Sequence, residues 1–319
     1  MNKIESTLKT YLSGIADSTV VTIALSGGRD SIVLLHAVHA YFAKMDKDLC
    51  NLRAVHVNHG ISSQSSVWEN FCHELCNKLG VHLESHQVTV NMQSSAGIEA
   101  AARDERYKVF KAQPSGVILL AQHKNDQAET FLFNILRGCS VSSAGGMPVT
   151  RNLRPDLVLH RPLLNVLRKD IDAYCTEHAL TWVEDDSNTD TSYSRNFIRH
   201  DVIPMLNKTF ASIENRLVST AERFDEAASL LDDLAEMDLG EYSAVFPLPV
   251  SVFAALPEKR SRNLLRYVLN KHGLASLPPA QMSQAINQFV TAKPDRHPEV
   301  KVGNFKLVRI KKMICLEPM

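Results

Sequence analysis

The sequence has no net charge, no long apolar run, few aromatic residues and few cysteines. Its 35 Lys and Arg are matched by 35 Asp and Glu. That balance excludes a protein that grips nucleic acid by bulk positive charge, though not one with a local basic patch. The longest apolar runs, such as VVTIAL and GVILLA, are strand-sized and far short of a membrane span. The N-terminal MNKIESTLKTYLSG is polar and amphipathic, without an apolar segment of signal-peptide length. The six cysteines are scattered. Cys72 and Cys76 stand close together, but no second pair lies nearby to complete a zinc or iron–sulfur site. The thiols therefore read as those of a reducing compartment, and a cytoplasmic protein with no membrane partner is expected. What is present is a chain of 319 residues, 45% hydrophobic and 22% charged. That is the composition of a globular protein and a length that suits two domains.

Over roughly the first 200 residues, short apolar runs alternate with helical patterns. Strands are expected at Val20–Ser26, Leu52–Asn58, Val81–Val88 and Val117–Gln122. Helices are expected at Ser31–Ala43, Gln64–Leu79, Ile98–Ala112 and Gln127–Leu136. This alternation predicts an α/β fold with a parallel sheet and crossover helices, whose ligands bind at the carboxyl ends of the strands. Between Glu214 and Glu241, nine acidic residues face two basic ones. Leu217, Ala221, Phe224, Ala228, Leu231 and Leu234 recur there at helical spacing, predicting an acidic linker helix. From Glu258 to Lys312 the balance reverses to twelve basic against three acidic residues. The expected organisation is a domain over residues 1–208, a linker helix over 209–241 and a small, mostly helical basic domain over 242–319, with a strand-like segment at Phe305–Leu316.

The first strand runs into Ser26-Gly27-Gly28-Arg29-Asp30-Ser31 at the start of a helix. Glycines let the backbone turn sharply and approach a ligand, and the exposed amides with the helix N-terminus attract phosphate oxygens. Ser26 and Ser31 add hydroxyls. The string is neither GxxxxGK(S/T) nor the spaced-glycine dinucleotide fingerprint. Read alone, Gly-Gly is a turn with a capped helix; the whole string after a buried strand reads as a phosphate loop. Asp30 is either a helix cap or a carboxylate for Mg²⁺ bridging phosphate oxygens. Asp126 and Glu129 share one face of the helix after the fourth strand. There they either complement the helix dipole or hold and deprotonate an ammonium group.

The string SGGxDS resembles the pyrophosphate loop of the N-type ATP pyrophosphatases. Further segments resemble, in order, the tRNA(Ile)-lysidine synthetase family. They are HVNHGIS (His56–Ser62), AARDERY (Ala101–Tyr107), AQHKNDQAETFLFNILRG (Ala121–Gly138), RPLL (Arg161–Leu164) and WVEDDSNTDTSYSRNFIRHDVIP (Trp182–Pro204). The resemblance implies a Rossmann-like PP-loop ATPase domain followed by a smaller tRNA-contacting domain. It implies ATP-dependent adenylylation of the wobble cytidine of tRNA(Ile) with the anticodon CAU, then attack by free L-lysine, with Mg²⁺ as the cofactor of ATP. It assigns ATP to Ser26–Ser31, His56 and Asn58, lysine and catalysis to Asp126 and Glu129, catalysis to Arg195, and tRNA contact to Arg103, Arg199, Lys306 and Arg309. The alternatives are another tRNA-modifying pyrophosphatase, such as a thiolase, or a non-catalytic tRNA-binding relative.

Two departures from the family pattern stand out. Asn125 occupies the place of the first of two aspartates, which moves the weight to Asp126. The glycine-rich segment is altered to RGCSVSSAGGM (Arg137–Met147). His56, His59 and His123 either line the nucleotide pocket or are hydrogen-bonded near-core side chains. Lys306 and Arg309 lie in a basic run that is either a solvated face or a tRNA contact. Some family members continue into a further C-terminal domain, so the sequence corresponds to a short form or to part of a longer protein.

Overall fold

The computed structural model describes residues 2–91, 93, 97–185, 189–293 and 296–319. Asp186, Ser187 and Asn188 of the DDSNTD motif lie outside the described residues. The chain forms two compact units, Met1–Glu222 and Arg223–Met319. The division falls inside the acidic helix.

The first unit runs α1 (Lys3–Leu12), β1 (Val20–Ala24), α2 (Arg29–Lys44), β2 (Leu52–Asn58), α3 (Ser65–Leu79), β3 (His82–Gln87), α4 (Ile98–Ala112), β4 (Gly116–Leu119), α5 (Lys124–Leu136), α6 (Val141–Ala144), β5 (Thr150–Arg154), β6 (Leu157–His160) and α7 (Arg168–Glu177). It continues through α8 (Ser194–Phe197), one π-helical turn (Ile198–Val202), α9 (Ile203–Thr209) and the start of α10 (Ile213–Leu239). The sheet order is β3-β2-β1-β4-β6-β5. All neighbours pair in parallel except β5 with β6. Side chains alternate across the sheet. Val21, Ile23, Ala54 and Leu119 pack towards α1, α2, α3 and α7, while Val55, Ile118, Leu157 and Leu159 pack with Val109 and Phe110 of α4. Both faces are covered, so the central strands read as unbroken apolar runs. The β5–β6 hairpin was not expected from the sequence. TRNLR is a polar, exposed edge strand without hydrophobic alternation.

The topology locates a crevice. The chain leaves β1 towards β2 and β3, then returns to lay β4 against the opposite edge of β1. Where a parallel sheet reverses its order, the segments leaving the two strands diverge and open a ligand site. Here those segments carry Ser26–Ser31 and His123–Glu129.

The second unit holds the rest of α10, then β7 (Leu248–Pro249), α11 (Val250–Ala254), α12 (Glu258–Lys271), α13 (Pro279–Thr291), β8 (Glu299–Val302), β9 (Phe305–Ile310) and β10 (Met313–Pro318). The four strands form an antiparallel sheet in the order β7-β10-β9-β8. The expected strand-like segment Phe305–Leu316 is a hairpin, turning at Lys311 with φ +55°. Leu264, Leu265, Val268 and Phe289 are buried in its core with Leu307 and Ile314. Several charges of this unit answer one another. Arg266 reaches Asp232 at 2.5 Å, Arg260 pairs with Asp238, and Tyr267 donates to Glu236.

The pairing extends to β9, where tRNA contact was expected. Lys306 lies between Glu299 at 3.1 Å and Glu317 at 3.7 Å on the flanking strands. The two-residue strand period puts Arg309 on the same face as buried Leu307. Its guanidinium is consumed by the carbonyls of Phe289 (2.6 Å), Ala292 (2.8 Å) and Lys311 (2.8 Å). Arg309, for which tRNA contact was expected, is a buried tie for the end of α13.

Among the described residues, no helix is long and apolar enough to cross a membrane.

Gly116 has φ +140°, and a Cβ there would lie 2.2 Å from the Val20 carbonyl oxygen. We expect Gly116→Ala to lower stability by roughly 2–4 kcal/mol from backbone strain and overpacking, read as a lower urea midpoint with an unchanged slope. His160 stacks on Tyr11 with ring centroids 3.6 Å apart, and burial pushes its pKa down from 6.5 to about 4. Its contribution is complete above pH 6.5 and is lost as the pH falls towards 4, because only the unfolded chain takes up the proton in that window. The urea midpoint should fall less between pH 7 and pH 4.5 in His160→Gln than in the unsubstituted protein.

Candidate active site

The loop after β1 is shaped by its own hydroxyls. Ser31 Oγ donates to the Gly28 carbonyl at 2.8 Å, accepts from Ser26 N–H at 3.2 Å and lies 3.1 Å from Ser26 Oγ. Gly27 adopts φ +84°, and a Cβ on it would meet Val183 at 2.9 Å and Cys72 Sγ at 3.3 Å. The backbone turns tightly there, and Gly28 leads into α2 as its N-cap. Arg29, also expected at the ATP site, follows Gly28 as the first residue of α2. Its guanidinium pairs with Asp172 and lies over the Trp182 ring at 5.5 Å, so its side chain is engaged on α7.

Across the crevice, α5 presents Asp126 and Glu129 on one face, both buried. Two arginines one helical turn apart meet them. Arg199 Nε donates to Glu129 Oε1 at 2.8 Å, while Nη2 donates to Glu129 Oε2 at 2.8 Å and to Asp126 Oδ1 at 3.1 Å. Arg195 is looser, 3.4 Å from Glu129 and 3.6 Å from Asp126. Arg199 sits in the π-helical turn; such turns recur at functional sites. Burial works against its charge, but the hydrogen bonds and charge of Glu129, then Asp126 and Asp30, outweigh it and raise its pKa. The Arg199 fork, for which tRNA contact was expected, is engaged by the two carboxylates.

His123 lies between the loop and the carboxylates, and its side chain is only 1% exposed. Nε2 is 3.7 Å from Asp30 and 3.6 Å from Asp126, and neither ring nitrogen has a hydrogen-bond partner. Asp30 Oδ1 is also buried without a partner. Burial raises the Asp30 pKa, His123 opposes this, and the Asp126 charge adds to it. A partnerless carboxylate oxygen beside a second carboxylate is a donor set that fits a hard divalent cation shared with phosphate oxygens.

The remaining expected residues have other tasks. His56 Nδ1 is bonded to the Leu25 carbonyl at 2.9 Å, and burial lowers its pKa. The Asn58 amide donates to Glu69 at 2.8 Å and accepts from Gly60 N–H at 2.9 Å. Both were expected to line the nucleotide pocket; the Asn58 amide closes the turn after β2. Burial, then Arg106, pushes His59 down to about 4. Asn125 faces away from the carboxylates. Its Oδ1 accepts from Arg168 N–H at 3.0 Å and its Nδ2 donates to Glu214 at 3.3 Å, a pair of bonds that an aspartate could not make. The altered glycine segment folds as α6 and is held by Gln127 of α5, whose amide pairs with both backbone groups of Met147. Sequence reasoning placed Gln127, Tyr107 and Arg161 in motifs without giving them individual roles, and did not single out Arg151. Only the four-residue spacing of Arg103 and Tyr107 on one helix was a legible signal.

Comparison with known proteins gives a consistent picture. The model of the PP-loop domain family matches residues 1–206, and that of the TilS substrate binding domain matches residues 248–312. The chain is 38% identical over 279 residues to the tRNA(Ile)-lysidine synthase of Nitrosomonas europaea, covering 87% of this chain and 60% of that protein. It is 39% identical to that of Burkholderia mallei, covering 90% and 59%. It is 32% identical to that of Haemophilus ducreyi, covering 93% and 68%. The chain thus spans about 60% of the length of the first two. Among solved structures, the U34-tRNA thiolase NcsA from Methanococcus maripaludis superposes with a TM-score of 0.58 at 15% identity, covering 70% of this chain and 78% of that one, a likeness of fold.

The pairing across the crevice has a measurable consequence. Arg199→Gln leaves Glu129 and Asp126 buried with only the looser Arg195. It should cost roughly 2–4 kcal/mol of stability, as removing one partner of a buried ion pair does. Arg199→Lys should recover only part of this, because a point charge cannot span three carboxylate oxygens. Equal urea midpoints for all three proteins would show that the cluster is not held as described.

Proposed function

The chain belongs to the tRNA(Ile)-lysidine synthase family, and from that premise we propose that it joins free L-lysine to the wobble cytidine of tRNA(Ile) carrying the anticodon CAU. ATP is split to AMP and pyrophosphate, and a carbon–nitrogen bond forms, which makes the protein a ligase. The observation that carries this reading is the quartet of Asp126, Glu129, Arg195 and Arg199 facing the Ser26–Ser31 loop across the β1–β4 crevice.

The loop amides and the Ser26 and Ser31 hydroxyls would hold the phosphates of ATP. The C2 oxygen of the cytidine attacks the α-phosphorus, an O–P bond forms, and the bond to the β-phosphate oxygen breaks. Mg²⁺, for which Asp30 offers a partnerless oxygen, would neutralise charge on the phosphates. The lysine ammonium then enters the carboxylate pair. Two carboxylates balanced by two guanidiniums have no room for a third cation at full strength, so the looser Arg195 yields and turns to the phosphate. Asp126 or Glu129 takes a proton from the ammonium. The free amine attacks C2, the C–O bond breaks, and AMP leaves. Positioning and charge compensation supply the rate.

Residues 1–208 carry these steps in this reading, residues 209–241 link, and residues 242–319 take part in holding the tRNA. Free tRNA, ATP and lysine place the reaction in the cytoplasm. Thiolase chemistry is not favoured. Burial pushes the Cys72 thiol up to about 12 and the Cys76 thiol up to about 11, so neither is a ready nucleophile.

The test is incubation with ATP, labelled lysine and unmodified tRNA(Ile) transcript. Lysine should enter the tRNA with one AMP released per lysine. Asp126→Asn and Glu129→Gln should each lower the rate by about 100-fold or more. Tight tRNA binding without AMP release would instead identify a non-catalytic relative.

A further inference from the structure

A second cationic feature lies outside the quartet. Tyr107 of α4 stands as a post. Its hydroxyl accepts from Arg161 at 3.1 Å. Arg161 is buried and fixed in turn by Gln122 and by the Pro148 carbonyl at 2.7 Å. Two exposed arginines lie against the Tyr107 ring: Arg103 at 5.5 Å, one turn earlier on α4, and Arg151 at 5.0 Å, from β5. Among the described residues, none of these three arginines has a carboxylate within ion-pair distance. The charge is concentrated enough to matter to the tyrosine. Burial would raise its pKa, but Arg161, Arg103, Arg151 and Arg106 together lower it. Arg106, on the same helix, lies within electrostatic reach of Arg103 and of Arg195 in the quartet, with Glu99 3.9 Å from Arg195.

We propose that Arg103 and Arg151, laid on Tyr107, form a preorganised seat for the phosphate backbone of the RNA substrate next to the reacting nucleotide. This rests on the reading that the substrate is a tRNA. Free arginine side chains lose much rotamer entropy when they bind. Resting on an aromatic face anchored from beneath, these two have lost part of it already. Guanidiniums without carboxylate partners need no ion pair broken before they meet phosphate, and their fork matches two of its oxygens. The polar β5 edge strand, which adds little to the core, is explained as the carrier of Arg151.

The experiment measures the affinity of unmodified tRNA(Ile) transcript as a function of salt. Arg103 and Arg151 are exposed, so Arg103→Gln with Arg151→Gln leaves the core intact, checked by an unchanged urea midpoint. The double variant should bind roughly 10- to 100-fold more weakly near 0.15 M salt. The slope of log affinity against log salt should become shallower by about 1.5–2, because two phosphates keep their counterions on binding. Tyr107→Leu keeps every charge; it should weaken binding by about 3- to 10-fold with the slope unchanged. An unchanged slope and affinity in the double variant would overturn the proposal, and unaltered binding by Tyr107→Leu would overturn the role of the ring. If the unsubstituted protein binds tRNA but incorporates no lysine, the reaction fails and the seat stands. If it incorporates lysine while the double variant keeps full affinity and slope, the seat alone fails.

Discussion

The crevice between the carboxyl ends of β1 and β4 is the constraint on which the rest of this molecule depends. β1 has partners on both sides, with β2 and β3 to one side and β4, β6 and β5 to the other. The chain must diverge there, and it diverges into two helix N-termini. One brings a glycine turn with serine hydroxyls, the other His123, Asp126 and Glu129. The separation of phosphate loop from carboxylates is thus a property of strand order. Gly27 and Gly116 serve it directly: one lets the loop turn against Val183 and Cys72, the other lets β4 approach Val20 of β1.

Within the crevice, charge is matched locally. Burying Asp126 and Glu129 would be prohibitive without nearby cations, and the i, i+4 pair Arg195 and Arg199 supplies them from a helix more than sixty residues away in sequence. The two arginines are unequal. Arg199 is bound through three short hydrogen bonds, Arg195 through longer contacts, so one reads as a fixture and the other as a movable counter-charge. The same principle runs in the second unit, where several of the bases are answered by its own acids. Asp232, Glu236 and Asp238 of α10 engage α12, and Glu299 and Glu317 flank Lys306.

Much of this was legible in the residues. β1, β2, β4 and the helices between them follow from apolar runs and 3.6-residue periodicity. SGGRDS and the Asp126–Glu129 spacing mark the two sides of the crevice. The β5–β6 hairpin escaped because TRNLR is a polar edge strand with no alternation to detect. The β9–β10 hairpin read as one strand because its turn, Lys311-Lys312, carries no glycine or asparagine to announce it. The surroundings of Arg199 and Arg309 were not legible, because an arginine looks alike in sequence whether it faces solvent or caps buried oxygens.

The sequence by itself determined the elements, the phosphate loop and the pairing of two carboxylates on one helical face, because these are local: they depend on side-chain period, turn chemistry and residues within one helical turn. Tertiary structure alone decided which charges remain available. Zero net charge and a basic C-terminal composition do not say which charges stay free, since an ion pair forms between residues that folding brings within 4 Å whatever their separation in the chain. Folding hid Arg309, neutralised Lys306, bound Arg199 to Glu129 and left Arg103 and Arg151 exposed on a tyrosine.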